Sequence, residues 1–228
     1  MSSLTYKFAP SLMCMDLRKF TNQISFLGEH AYMLHADIMD GHFVNNLTLS
    51  PFILEQVRYI TEAHIDAHLM VDNPSLFVDS MCKAGADMIT LHIETINGSV
   101  FRMAHKLKQS QIDFGIVLNP ATDITSLEYC LPLFKKITVM TVDPGFAGQP
   151  FIPEMLKKIE RLREKKTALG LDYLIEVDGS CNVKTFGDLA AAGAEVFVVG
   201  SSGLFSLHPD IEQAWELMMN NFYDAIGG

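Results

Sequence analysis

The sequence predicts an α/β fold, a (β/α)8 barrel of eight parallel strands alternating with helices. Three observations lead there. Short apolar runs alternate with longer amphipathic segments from one end of the chain to the other. Strict β–α alternation implies a parallel sheet, and eight such units in 228 residues suit a barrel. A doubly wound open sheet would carry a Gly-rich dinucleotide turn after its first strand, and Ser11-Leu12-Met13-Cys14 contains no glycine.

Each element has its own signal. The apolar run at 8–13 reads as the first strand, and Asp16 caps a helix running to about 27. The second strand spans 31–38. Pro51 stands at the first turn of a helix through 60, where its missing N–H is no loss. The third strand is 65–71, and Pro74 opens a helix that ends near Ala84-Gly85. Residues 88–92 form the fourth strand, before a helix from about 98 to 108. Residues 114–118 form the fifth, and Asp123 opens a short helix to about 130. The sixth strand is 136–142; a loop follows, and Pro153 begins a helix to about 168. The seventh strand, 173–177, precedes a helix at 184–192, and the eighth is 196–199. A polar turn leads to a closing helix at about 209–222. No linker, low-complexity tract or charge run interrupts this order, so 1–228 reads as a single domain.

Hydrophobic residues make up 49% and charged residues 19%, which suits a globular chain with a large buried sheet. A formal net charge of −10 argues against a nucleic-acid partner, which would need a basic patch. It leaves an anionic substrate open, because backbone N–H groups can hold a small phosphate. Cys14, Cys82, Cys130 and Cys181 show no C-x-x-C spacing and read as free thiols in a reducing compartment. The start of the chain has no basic region followed by an apolar run, and no apolar stretch reaches ~20 residues. A cytoplasmic protein with no membrane partner is therefore expected. Met218, Met219, Phe222 and Tyr223 give the last helix an apolar cast that suggests a homo-oligomer.

The chemistry gathers at strand ends, because active sites of barrels lie at the C-terminal ends of their strands. His35-Ala-Asp-Ile-Met-Asp-Gly-His-Phe43 ends the second strand, and residues two apart in a strand share a face. His35 and Asp37 therefore project together. His68 ends the third strand and Asp178 the seventh. Taken singly, each reads as a satisfied core histidine, a salt bridge or a turn cap. Four at equivalent depth around one mouth form a mixed N/O donor set for one divalent ion: Zn, Mn, Co or Fe(II).

A second constellation suits a phosphate. Gly145, Phe146, Ala147 and Gly148 lie in the loop after the sixth strand, where glycines allow tight turns that expose N–H groups. Gly179-Ser180 follows the seventh strand, and Gly200-Ser201-Ser202 the eighth. Barrels often hold phosphate at those last two loops. Any one of these glycines alone is an ordinary turn residue; three loops on one side of the mouth favour a ligand.

Asp37 and Asp178 leave the second and seventh strands, which lie across the barrel from one another, so each can face a bound substrate from opposite sides. Two carboxylates flanking one carbon suit proton removal on one face and delivery on the other. A metal would acidify a carbon beside a carbonyl by stabilising the enediolate oxygens. That is epimerase chemistry on a phosphorylated ketose. Met39, Met70 and Met140, with Met13, read as core filler or as an apolar floor under the enediolate. His92 and Glu94 could hold a second ion, but a hydrogen-bonded support role is favoured. A metal-free decarboxylase or synthase would normally need a lysine at a strand end, and Lys7 and Lys136 stand at strand starts. A non-catalytic sugar-phosphate binding barrel is the alternative from another class.

Over nearly its whole length the chain resembles the ribulose-phosphate 3-epimerase family. The carriers are Ser11-Leu-Met13, His35 through Val44, His68-Leu-Met-Val71, His92-Ile-Glu94, the loop from Asp143 to Gln149, Glu176-Val-Asp-Gly179 and Gly200-Ser-Ser202. The resemblance implies a TIM barrel of the ribulose-phosphate-binding type. It implies that His35, Asp37, His68 and Asp178 bind the metal and that Asp37 and Asp178 are the acid/base pair. It also implies that Ser11, His68, the 145–148 turn, Gly179-Ser180 and Gly200 to Ser202 contact substrate. In detail the chain looks more like the members acting on D-allulose 6-phosphate and D-fructose 6-phosphate than those acting on D-ribulose 5-phosphate. Ala147 stands where the pentose enzymes usually have glycine, Asp-Gly-Ser-Cys replaces Asp-Gly-Gly after the seventh strand, and Ser202-Gly-Leu-Phe205 follows the eighth. Asn45 stands where the family usually has proline, which would loosen the loop over the metal.

Overall fold

The computed structural model describes residues 6–227. Residues 1–5 and 228 of the expected domain lie outside the described residues. Eight strands follow the expected order: β1 (Lys7–Pro10), β2 (Leu34–Met39), β3 (Ile65–Met70), β4 (Met88–His92), β5 (Asp113–Leu118), β6 (Lys136–Met140), β7 (Leu174–Asp178) and β8 (Val196–Val199). All pairings are parallel, in the order β1-β8-β7-β6-β5-β4-β3-β2. β1 and β2 meet at a parallel bridge between Ser11 and His35, and the Tyr32 N–H donates to Phe8 O at 3.0 Å. The ring is thus nearly closed, and the expected (β/α)8 barrel is the architecture found.

The helices are α1 (Phe20–His30), α2 (Pro51–Ile60), α3 (Val78–Lys83), α4 (Ile93–Ile96), α5 (Val100–Gln109), α6 (Met155–Leu169), α7 (Phe186–Ala192) and α8 (Ile211–Ala225). Some segments expected as one helix are tighter. Asp16 caps a 3-10 turn, Leu17–Lys19, before α1 starts. Asp123 caps a 3-10 turn, Ile124–Leu127, rather than a helix to 130, and Pro132 sits in a second such turn, Leu131–Leu133. β1 and β6 stop at Pro10 and Met140, earlier than expected, because the residues beyond them turn into the mouth. The short α4 was not anticipated.

Alternation along each strand sorts the side chains. In β2, Leu34, Ala36 and Ile38 join the main apolar core between sheet and helices, while His35, Asp37 and Met39 belong to the barrel interior. That interior has three groups of side chains. Ala9, Met33, Val196 and Val198 form a small apolar cluster with Leu174. Asp66, Thr90, Lys136, Thr138 and Glu176 form a polar group, all fully buried. Met39, Met70 and Val44, with Met13 and Phe43, form an apolar group near the mouth.

The closing helix accounts for most of the apolar signal at the end of the chain. Met218 and Phe222 are its inner face and are fully buried; Phe222 meets Phe8, Phe197 and Tyr6 with ring centroids 4.9–5.1 Å apart. Much of the apolar cast of α8 goes into the chain's own core; of the four residues that suggested an oligomer, Met219 is half-buried and Tyr223 exposed. The four cysteines are free thiols, as expected. Among the described residues no helix is long and apolar enough to cross a membrane.

Candidate active site

β2, β3 and β7 bring His35, Asp37, His68 and Asp178 together, with one donor atom from each lying within 4.8 Å of all the others. His35 Nε2 is 3.1 Å from His68 Nδ1. Asp37 Oδ1 is 3.4 Å from both of those nitrogens, and Asp178 Oδ2 is 3.7 and 3.6 Å from them. Donors about 2.1 Å from one ion at tetrahedral angles would stand ~3.4 Å apart. Two imidazole nitrogens and two carboxylate oxygens at this spacing fit a divalent ion.

The supports of this cluster are ordered. Ser11 Oγ donates to Asp37 Oδ2 at 2.6 Å, leaving Oδ1 to the cluster. His35 Nδ1 faces Asp66 Oδ2 at 3.1 Å. His68 turns Nδ1 to the cluster and Nε2 to His92 Nε2 at 2.9 Å. His92 Nδ1 lies 3.5 Å from Glu94 Oε2, and Glu94 Oε1 accepts from the Asn119 N–H at 3.0 Å and from Thr122. His92 and Glu94 therefore back His68 rather than holding a second ion, the role favoured from sequence. With Nδ1 of His68 free to ligate, its Nε2 carries the proton and donates to His92, which leaves the His92 proton on Nδ1, toward Glu94.

Protein groups alone set the two aspartates apart. Burial raises the Asp37 carboxyl, but His35 and His68 outweigh it and hold the pKa below the ordinary carboxylate value. Burial pushes Asp178 up to about 7, with the charges of Asp37 and Glu176 adding to the push against the pull of His35. Burial works against the His35 imidazolium, yet Asp37 and Asp66 raise its pKa well above the ordinary value. Burial pushes the His92 pKa down to about 4.

A cleft opens above the cluster. Ser11, Asp37, Met39, Met70, Met140 and Asp178 line it on the barrel side. Gly145, Phe146, Ala147, Gly148, Gly179, Ser180, Gly200, Ser201 and Ser202 line it on the other. Every residue expected to touch substrate is thus present except His68, which is fully buried beneath it. Cys14, Val142, Gln149, Cys181 and Val198 also line the cleft and were missed. They neighbour the expected residues in sequence, but their types carry no distinctive chemistry. Asp37 and Asp178 lie three strands apart around the ring by the shorter way, through β1 and β8, rather than directly opposite.

The loop over the cluster is tied down despite Asn45. Asp40 Oδ1 accepts from the N–H groups of His42 and Phe43 at 2.8 and 3.0 Å, and Asn46 Nδ2 donates to Gly145 O at 2.7 Å. The loosening expected without proline is offset by these bonds. Gly145 has φ +117°, and a Cβ there would lie 3.0 Å from Val44, so glycine lets this loop and the 143–149 loop meet.

Comparison with known proteins agrees with this geometry. The profile of the ribulose-phosphate 3 epimerase family matches residues 7–205. The chain belongs to the ribulose-phosphate 3-epimerase family. It is similar to the protein named ribulose-phosphate 3-epimerase of Synechocystis, with 39% identity covering 85% of each chain. It is likewise 39% identical to that of Escherichia coli K12 over 86% of this chain and 88% of the other, and 37% identical to that of Bacillus subtilis over 86% and 91%. As a member of this family the chain is a carbohydrate-phosphate epimerase, and the family depends on a divalent metal. At the level of fold alone it is similar to the tryptophan synthase alpha-subunit of Pyrococcus furiosus (TM-score 0.67, 13% identity, 98% and 100% covered). A 3-hexulose-6-phosphate synthase gives the same TM-score of 0.67 at 16% identity, with 93% and 98% covered.

Proposed function

We propose that the chain epimerises a phosphorylated ketose at C3 by proton transfer between Asp37 and Asp178, with a divalent ion held by His35, Asp37, His68 and Asp178. The observation that carries this reading is the convergence of two imidazole nitrogens and two carboxylate oxygens at ion-ligand spacing at the floor of the cleft. The ion, when bound, draws electron density from the substrate's oxygens and makes the C3 proton acidic. Asp37 takes that proton when the substrate is the D-allulo sugar. Asp178, facing the cleft from β7, returns a proton to the opposite face. The roles exchange in the reverse direction. Met39, Met70 and Met140 keep water from the enediolate, and Gly145 to Gly148, Gly179-Ser180 and Gly200 to Ser202 hold the phosphate.

Two substrates fit this machinery. The names of the curated relatives favour D-ribulose 5-phosphate. Residues at the phosphate end favour the D-allulose 6-phosphate and D-fructose 6-phosphate pair: Ala147 in the loop after β6, and Ser180 after Gly179. Ser180 is held at φ +50°, which glycine would adopt more easily, and its hydroxyl donates to Gln149 O at 2.5 Å, fastening the two loops together. The hydroxyl is thus committed to the backbone rather than aimed at the sugar. Measuring kcat/KM on both sugars, with metal-loaded and chelated enzyme, decides between them. Metal-dependent turnover that favours the hexose by tenfold or more supports the hexose reading, and the reverse ratio assigns the pentose. Binding of either sugar without turnover would make the chain a sugar-phosphate binding barrel and end the catalytic reading.

A further inference from the structure

Beneath the donor cluster the barrel interior is charged. Lys136 opens β6, yet its side chain is fully buried and bridges β3 and β7: Nζ donates to Asp66 Oδ2 and, at 2.6 Å, to Glu176 Oε1. Thr90 Oγ1 donates to the other Asp66 oxygen at 2.5 Å, and Thr138 Oγ1 donates to Glu176 Oε1 at 2.8 Å. Glycine makes room for this arrangement, since a Cβ at Gly115 on β5 would lie 2.2 Å from Thr90 Oγ1. A buried ion pair of this kind seldom adds stability over well-packed apolar side chains, so stability alone is a poor reason for it. Its upper edge gives a better one. The Asp66 oxygen that takes the ammonium is also the one 3.1 Å from His35 Nδ1.

We infer that Lys136 is a positioning residue for the metal centre: by bridging Asp66 and Glu176 it fixes the Asp66 carboxylate beneath His35, so that His35 donates from Nδ1 and turns Nε2 to the ion. The inference rests on reading His35, Asp37, His68 and Asp178 as the ion's donors. A histidine ligand whose second nitrogen is held by a carboxylate keeps one tautomer and one ring orientation, and losing such a partner typically costs about 10–100-fold in metal affinity. Lys136 fixes that carboxylate from below while Thr90 fixes it from the side. Glu176 completes the bridge, and its Oε2 has no hydrogen-bond partner among the described residues, so its share in the arrangement is the hold on Lys136.

The test uses the full chain loaded with cobalt(II), which reports both affinity and ligand geometry. Glu176→Gln keeps the ammonium on Asp66 and should bind cobalt within about twofold of wild type. Lys136→Met combined with Glu176→Gln keeps the cluster's net charge but frees Asp66. It should bind cobalt about 10–100-fold more weakly and, at saturation, show altered d–d absorption bands. Asp66→Asn, a substitution of the same shape, should do the same. A purely structural Lys136 would leave the saturated spectrum unchanged, and a folded variant of either kind with wild-type affinity and spectrum overturns the inference. Nitrogen-15 NMR of histidine in the zinc-loaded wild type needs no variant: His35 should carry its proton on Nδ1, and a proton on Nε2 overturns the inference outright. A wild-type chain that binds no cobalt would instead refute the metal reading itself, and this inference with it.

Discussion

In the proposed mechanism Asp178 and Asp37 carry the chemistry, and their surroundings differ. Ser11 and two imidazoles surround Asp37, whereas Asp178 faces the negative charges of Asp37 and Glu176. Asp178→Asn preserves shape and removes the titratable group. The variant should fold and lose several orders of magnitude in kcat, while Asp37→Asn should do the same, since both protons move in every turnover. Near-normal turnover of metal-loaded Asp178→Asn would end the two-aspartate mechanism. These residues were legible in the sequence because period-two spacing puts His35 and Asp37 on one face of a strand. Lys136 stands at a strand start, as expected from the sequence, but only its burial between Asp66 and Glu176 reveals its place in the interior. A signal existed: Asp66 and Glu176 each stand two residues before a proposed ligand, on the same strand face.

Strands were more legible than their flanks. β4 and β8 fall where the apolar runs end, since strands buried on both faces read as short continuous apolar runs. Short 3-10 turns and α4 lack such a period, so the segments at 74–76, 93–96 and 124–133 were blurred. The packing of α6 on β7 offers a prediction at this scale. The Tyr173 hydroxyl, just before β7, is buried and donates to Leu162 O on α6 at 2.7 Å, and burial pushes its pKa up to about 12. With the folded pKa raised above the ordinary value near 10, the native state holds that proton longer than the unfolded chain. Its contribution to stability is complete below pH 10 and is lost as pH rises toward 12. Tyr173→Phe should unfold about 1 kcal/mol more easily at neutral pH, and the stability gap to wild type should narrow between pH 10 and 12 in urea titrations. A gap independent of pH would mean that folding does not raise the pKa of this hydroxyl. Gly115→Ala tests the interior in the same way. A Cβ would strike Thr90, and overpacking there should cost about 1–3 kcal/mol, read from the urea midpoint.

At the scale of the molecule, ring closure is what turns scattered strand-end residues into one site. Helix α8 packs on the outer face of that ring, over β1 and β8, through Phe222. One barrel with one continuous apolar core should unfold in a single calorimetric transition, and saturating cobalt or zinc should raise its midpoint, because the donors come together only in the folded chain. Two separate transitions would contradict the single domain. The architecture was legible from alternation alone; the polar group inside the barrel was not, because nothing in one strand announces what faces it across the ring. The epimerase mechanism itself is best tested by proton NMR in deuterated water, with metal-loaded enzyme and the preferred ketose phosphate, at low conversion. Two aspartates on opposite faces predict product that carries solvent deuterium at C3 from the first turnovers, while unreacted substrate keeps its proton. Product that retains the original proton would mean that one group serves both faces, and the pairing of Asp37 with Asp178 would be wrong.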